Sequence, residues 1–467
     1  MSIAGATLVL AAAAFVAPAF APSSASAAGF ELVSYNPVVV DTLGGLIKIV
    51  NVLKNNEDAA VEFRISKVEE LPDGWAASIC IKTLCYAPFV NSIPSLNIRA
   101  PSVAAHDTLK VSTWFQTGQT AGSGHVAFTV TSLSDTTQSV TRTFTGITDD
   151  IDALVIDDDG GADYETYYAG ALAEGKVAGR WPREGAAPDP AALARFPRVI
   201  WETGEAAPAL DDADRAAISA YLAGGGAVLL SGQNVARDLC DPASATRSDA
   251  ACAWLASTFH ASYGADAAGA TRVTGSADDS IGAGLAFEIA GGDGAGNQSS
   301  PDGVAAAPGG IAFLEYDATA HAAGVRSCGT QPNTVFLAFG LEGVADAADR
   351  TALLARALDA LDAAPGATTC PPLVFAGGPL GPNEPNPGRS GTRFAIRLTS
   401  PGRATLAIFD VSGRRVRGVF DGTLLTGENP VEWDGRNDDG DNVPSGVYFA
   451  QLIADGREQT RKVSLVR

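Results

Sequence analysis

Residues 389–467 alternate apolar and polar side chains with a period of two, and glycine or Asp/Asn turns break the pattern. Residues 405–410 read as one strand, and a turn follows at Ser412, Gly413 and Arg414. After the Trp433-Asp434-Gly435 turn a second strand sets Val447, Phe449, Gln451 and Ile453 against Tyr448, Ala450 and Leu452. Side chains on a strand point alternately to two faces, so this spacing suits a sheet and not a helix. Short alternating runs separated by such turns predict a small antiparallel sandwich.

At 467 residues the chain exceeds what one core organises, and three domains are expected. Net charge is -21, from 53 acidic and 32 basic residues. This balance argues against a nucleic-acid partner, which needs a basic face, and disfavours anionic lipids or substrates. The acid is uneven: residues 389–467 hold twelve Lys/Arg against ten Asp/Glu, so the excess lies upstream.

Residues 8–20 are apolar and Ala-rich, and small residues at Ala25 and Ala27 fit a signal-peptide cleavage site, so residues 1–28 read as a signal peptide. No Lys or Arg precedes the apolar core. The run is too short for a comfortable membrane span, and no span is expected in the mature form. Six cysteines in an exported chain favour disulfides. Cys80 with Cys85 and Cys240 with Cys252 are the pairs nearest in sequence, which leaves Cys328 with Cys370. No Cys-x2-Cys spacing supports zinc.

Residues 29–148 read as an immunoglobulin-like β-sandwich, with strands at 47–52, 60–65, 125–131 and 139–144. Trp75 is read there as a core anchor; a carbohydrate platform is the sharper alternative. Residues 149–366 alternate short apolar strands (153–156, 198–201, 227–230, 335–339) with helices (163–174, 211–222, 348–361), which predicts a parallel α/β sheet. Gly224, Gly225 and Gly226 are read as the end of the 211–222 helix. Residues 367–388 are a Pro/Gly-rich linker in which Pro371, Pro372, Pro379, Pro382, Pro385 and Pro387 forbid a helix or a central strand.

The C-terminal segment resembles the immunoglobulin-like domain shared by flagellar hook-capping proteins and by cargo of the bacterial type IX secretion system. The resemblance rests on Trp433, Asp434, Gly435, Gly446, Val447 and Tyr448, and on the terminal strand 460–466. The run Asn383-Glu384-Pro385-Asn386-Pro387 resembles the entry to type IX sorting domains. The resemblance implies that residues 389–467 engage the export machinery, and that the protein reaches the medium or the outer-membrane surface through the periplasm.

The middle region resembles the flavodoxin-like fold of the class I glutamine amidotransferases. The matching residues are Asp157, Asp158, Asp159, Gly160 and Gly161, then Tyr164, Glu165 and Tyr168, with Trp201, Glu202, Ser231, Gly232, Gln233 and Glu342. The catalytic family carries a cysteine nucleophile on a strained strand-to-helix turn and a distant histidine. Here Ser231 stands in the elbow region, and Phe339-Gly340-Leu341-Glu342 supplies the Glu without the His. A catalytically degenerate domain is therefore expected, with no cofactor. Ser231, Gln233 and Glu342 remain the residues of a rival hydrolase reading.

Asp157, Asp158 and Asp159 end the first strand of that sheet, the edge where open α/β sheets bind ligands, and Glu165, Trp201 and Glu202 line the same edge. Three adjacent carboxylates suit Mg2+ or Ca2+. A helix-entry turn accounts for the same acids, and consecutive turn residues point in different directions. No metal is expected. The run Asn437-Asp438-Asp439-Gly440-Asp441 fails the EF-hand spacing and reads as a turn. The glycines at 291, 292, 294 and 296 make a surface loop, not a phosphate cradle. The expected function is a secreted or cell-surface, non-enzymatic structural or binding protein. An extracellular hydrolase and a carbohydrate-binding adhesin are the rivals.

Overall fold

The structure is a computed structural model that describes residues 23–364 and 379–466, apart from 28, 96, 184–186, 268, 318, 320, 330–332, 399–401, 425–426 and 455–456. Two compact units form: Met1–Ile156 with Gly175–Phe196, and Asp157–Glu174 with Pro197–Arg467. Strands predominate over helices throughout.

The first unit holds a two-sheet sandwich. One sheet orders Ser23–Ala27, Phe30–Ser34, Leu46–Asn55, Thr108–Gln116, Ala76–Ile81 and Leu84–Cys85. The other orders Val38–Asp41, Ser139–Thr148, Ser123–Ser132, Val61–Glu70 and Ser92–Ile93. The alternation read from the sequence is the alternation of burial: in Leu46–Asn55 every second residue faces the core. Phe30, Phe63, Phe115, Phe128 and Phe144 fill the interior, and Trp75 is buried with them. The Trp75 indole donates to the Thr120 carbonyl at 2.7 Å and meets Phe115 edge-on. A disulfide joins Cys80 to Cys85. Most of the expected signal segment lies outside the described residues. Its last part, Ser23–Ala27, is a strand paired with Phe30–Ser34.

In the second unit, Arg198–Gly204, Ala227–Gly232 and Thr334–Leu337 pair in parallel. They are buried along nearly their whole length, as parallel strands covered on both faces must be. The helix Asp212–Ala223 follows the first of them; its entry is a capping box in which Asp211 accepts from the N–H groups of Ala213 and Asp214. The left-handed residue after this helix is Gly225, with φ +90°, not Gly224. The helix Ala347–Leu361 buries Leu353, Leu354, Leu358 and Leu361.

The flavodoxin-like parallel sheet does not carry over as a whole. Beyond Thr334–Leu337 the sheet continues antiparallel through Ala322–Ser327, Gly310–Tyr316, Arg272–Gly275 and Ala286–Glu288. Ala261–Asp266 and Asp302–Ala306 form a further antiparallel pair. Asp302–Ala306 and Ala322–Ser327 are short and rich in Ala and Gly, so they lack the β-branched alternation that marks a strand in sequence. The Cys240–Cys252 disulfide ties the helix Val235–Cys240 to Asp249–Thr258. Cys328 is also disulfide-bonded, and Cys370 lies outside the described residues.

The C-terminal domain is a sandwich of three and four strands. One sheet orders Leu380–Glu384, Thr392–Leu398 and Gly427–Trp433; the other orders Arg415–Leu424, Gly402–Asp410, Gly446–Ala454 and Arg457–Leu465. Residues 380–384, read as linker, are thus an edge strand, a position that tolerates Pro382. The rest of the Pro-rich linker, 365–378, lies outside the described residues. Tyr448, Ala450, Leu452 and Ala454 face the core, while Phe449 and Ile453 face out.

Candidate functional site: buried carboxylates at one end of the middle sheet

The buried strand Ala153–Asp157 runs into Asp158, Asp159, Gly160 and Gly161. Residues two apart on extended backbone share a side, so Asp157 and Asp159 converge and Asp158 points away. Asp158 Oδ2 accepts the Trp201 indole N–H at 2.9 Å, and its own N–H donates to the Glu202 carbonyl at 3.0 Å. Asp159 folds back over the turn. Its Oδ1 accepts the N–H groups of Gly161 and Ala162, each at 2.8 Å, and its Oδ2 accepts that of Tyr164 at 3.3 Å. The helix Glu165–Ala171 follows at once, which places the Glu165 carboxylate over the same turn. Gly204 makes the approach possible: a Cβ there would lie 2.6 Å from the Tyr164 ring and 3.1 Å from Asp159 Cβ.

Glu202 comes from the strand Arg198–Gly204 and is fully buried. Asp157, Asp159, Glu165 and Glu202 each offer a carboxylate oxygen, all within 4.8 Å of one another. Of the five acidic residues expected at this edge, four converge; Asp158 does not. Among the described residues, neither Glu202 oxygen has a hydrogen-bond partner. Burial, followed by the charges of Asp159, Glu342, Asp157 and Glu165, holds its carboxyl well above the usual range.

Glu342, also fully buried, is by contrast well supplied. Its Oε1 accepts from Asn297 Nδ2 at 2.8 Å and Gln298 Nε2 at 3.1 Å, and the Tyr168 hydroxyl lies 2.9 Å from Oε2. Burial still raises its carboxyl. Gly340 has no side chain to obstruct this arrangement: a Cβ there would fall 1.8 Å from Glu342 Oε1. Gln233 clamps the adjoining loop, donating to the Asn297 carbonyl at 2.6 Å and accepting from the N–H groups of Ser299 and Ser300.

Ser231 Oγ donates to the Phe339 carbonyl at 3.2 Å, accepts the Leu341 N–H at 2.9 Å and lies 2.9 Å from the Tyr168 hydroxyl. It is fully buried, and no imidazole partners it among the described residues. Its side-chain neighbour is the Tyr168 hydroxyl, which also bonds Glu342, in the place where a serine hydrolase carries a histidine. Ser231 is not the elbow residue. The strand-to-helix turn places Asn234 in the left-handed conformation, with φ +69° and ψ -6°. Its side chain accepts from Ser300 Oγ at 3.0 Å and Arg237 at 3.1 Å.

Asn234, Asn297 and Gln298 were not singled out from the sequence. Asn tolerates positive φ, so an Asn between a buried strand and a helix was the available signal for the first. The other two sit in a loop distant in sequence from the Gln233, Gly340 and Glu342 they bond.

The C-terminal turn is a closed unit. The Trp433 indole donates to the Arg436 carbonyl at 2.9 Å and packs edge-on against Tyr448, whose hydroxyl donates to the Pro444 carbonyl at 2.7 Å. Gly435 sits at φ +70°. In the acidic run, Asp438 accepts from the Gly418 N–H and from Arg415, and Asn437 Oδ1 accepts the Asp441 N–H. The Asp438 bonds tie this turn to the strand Arg415–Leu424, and the Asn437 bond closes the turn on itself. In the first unit, Trp75 is buried and Trp114 lies under Lys48, whose ammonium is 4.5 Å from the ring centre. Neither presents a bare platform for a sugar.

Residues 384–457 match the family model of the FlgD Ig-like domain. The basal-body rod modification proteins FlgD of Salmonella typhimurium and Salmonella typhi are each 38% identical over 66 residues, 14% of this chain and 28% of the relative. The match thus spans a little over a quarter of those proteins' length. Solved structures with local likeness include PorZ, a surface component of the type IX secretion system of Porphyromonas gingivalis (24% identity, 18% of this chain, 11% of that chain, TM-score 0.15). The N-terminal domain of PorA is another (14% identity, 27% of this chain, 82% of that chain, TM-score 0.17). At such TM-scores these likenesses carry no argument. The amidotransferase-like reading of the middle region draws no support from these matches.

Proposed function

We propose that this is an exported protein of the cell surface or medium, structural or ligand-binding and not catalytic, whose C-terminal domain is its export address. The observation that carries the reading is the FlgD Ig-like match over residues 384–457, on a domain with its own closed core around Trp433 and Tyr448. Residues 1–28 serve as the signal peptide, residues 29–148 and 149–366 are the delivered domains, and 389–467 engage the export machinery. Among the described residues no helix is long and apolar enough to cross a membrane. The full burial of Ser231, with no imidazole partner among the described residues, favours a binding role over a hydrolytic one.

The test is intact mass with terminal peptide mapping of the protein recovered from the surface or medium of a bacterium with a type IX system. The expected mature form begins near Ala28, which removes the strand Ser23–Ala27, and ends before Arg389. A chain still ending at Arg467 and retained in the periplasm overturns the export reading and leaves an ordinary immunoglobulin-like module.

A further inference from the structure

We infer that Asp157, Asp159, Glu165 and Glu202 form a binding site for a hard divalent cation, with Ca2+ preferred. Acidic residues in proximity are common and make no site on their own. The distinguishing observation is Glu202. It is fully buried, both of its oxygens lack a hydrogen-bond partner among the described residues, and it is directed at three other carboxylates. A buried charged group left unpaired is costly, and a second negative group beside it raises the cost. A cation among the four removes both penalties together.

The geometry fits the ion. Oxygen ligands lie about 2.3–2.6 Å from Ca2+, so two ligands on opposite sides of it are about 4.8 Å apart. The four carboxylates are already gathered within 4.8 Å of one another. All donors are oxygens, which suits a hard cation and not a thiophilic metal. The four converging carboxylate oxygens supply part of the six to eight oxygens typical of Ca2+, whose flexible geometry lets water complete the set. The frame is set beforehand: Asp159 is held by three backbone N–H groups, and Glu202 stands on a buried strand. Glu342 is not among the four converging carboxylates, and Asn297, Gln298 and Tyr168 supply its partners. At Gly160 and Gly161, in the same turn, a Cβ would meet nothing within 4 Å.

The probe is Tb3+, a luminescent substitute for Ca2+, titrated into the chelator-treated full chain, with Trp201 beside Glu202 as sensitiser. Saturable luminescence displaced by Ca2+ more readily than by Mg2+ is expected, with a stoichiometry of one by calorimetry with Ca2+. Glu202→Gln should weaken binding by more than ~10-fold, since loss of even outer-shell partners costs about that much. Asp438→Asn, in the C-terminal turn, should leave it unchanged. Circular dichroism establishes that each variant is folded, and Asp157→Asn provides a second ligand variant. The inference is overturned if the folded wild-type chain shows no saturable binding of Tb3+ or Ca2+. It is equally overturned if Glu202→Gln and Asp157→Asn bind as the wild type does. Displacement by Mg2+ but not Ca2+ overturns the calcium preference.

Discussion

Two stretches of this chain are dense in carboxylates, and they are built in opposite ways. In the C-terminal sandwich, Asp410 and Asp438 sit at exposed turns where nearby donors meet them. Hydrogen bonds from Ser412, then from Arg414, hold Asp410 down to about 2, and the Gly418 N–H, then Arg415, lower Asp438. At the end of the middle sheet Glu202 has burial and other acids for company, and its carboxyl is raised. Sequence density of Asp and Glu is similar in the two places. What separates a turn from a candidate ligand site is whether donors are supplied.

The largest effect that bears on this contrast comes from Asp302, another buried acid of the middle region. Burial pushes its carboxyl up to about 8, against the downward pull of hydrogen bonds from the Ala236 and Arg237 backbone. The folded chain therefore holds a proton that the unfolded chain releases near pH 4. Stability from this group is complete below about pH 4 and is lost as pH rises toward about 8, at up to ~1.4 kcal/mol per pH unit. Urea denaturation across that range should show the slope, and Asp302→Asn should flatten it. A wild-type curve that is already flat would place Asp302 among the satisfied acids.

Trp433→Ala should cost the C-terminal domain about 3–5 kcal/mol, because a fully enclosed aromatic is removed from a small core. Thermal unfolding of the full chain should show that domain melting earlier, with the other transitions unmoved. Glu202→Gln should act in the reverse direction. In the presence of chelator it should raise the middle region's unfolding free energy at high pH, because an amide cannot ionise where burial disfavours a charge. Wild-type stability from Glu202 is greatest at low pH and falls as pH rises through its raised value, so the gain should shrink on acidification. A destabilised Glu202→Gln protein in chelator would break the contrast. The smallest effect is expected at Asp438: Asp438→Asn should leave the melting temperature within error, since its bonds are exposed and screened.

The two regions also differ in how much of them could be read from sequence. In the C-terminal domain local pattern and fold agree, because a two-residue period and its turns determine which side chains reach the core. Tyr448, Ala450 and Leu452 fell on one face as the alternation requires. The same held in the N-terminal sandwich. In the middle region the buried parallel strands and their capped helix were legible as apolar runs. The antiparallel extension was not, because strands such as Asp302–Ala306 are small-residue segments defined by their neighbours. At the site, Asp157, Asp159, Glu165 and Glu202 were visible as acids near a strand end. That Asp158 turns to Trp201, and that Glu202 is left without a donor, depends on side-chain direction and tertiary packing.

The most direct measurement is anomalous diffraction from crystals of the full chain grown with CaCl2 and then exchanged into Tb3+. The account predicts one strong peak about 2.3–2.6 Å from oxygens of Asp157, Asp159, Glu165 and Glu202. Crystals with no peak there, in which Glu202 instead donates a carboxyl hydrogen to a neighbouring acid, would contradict it.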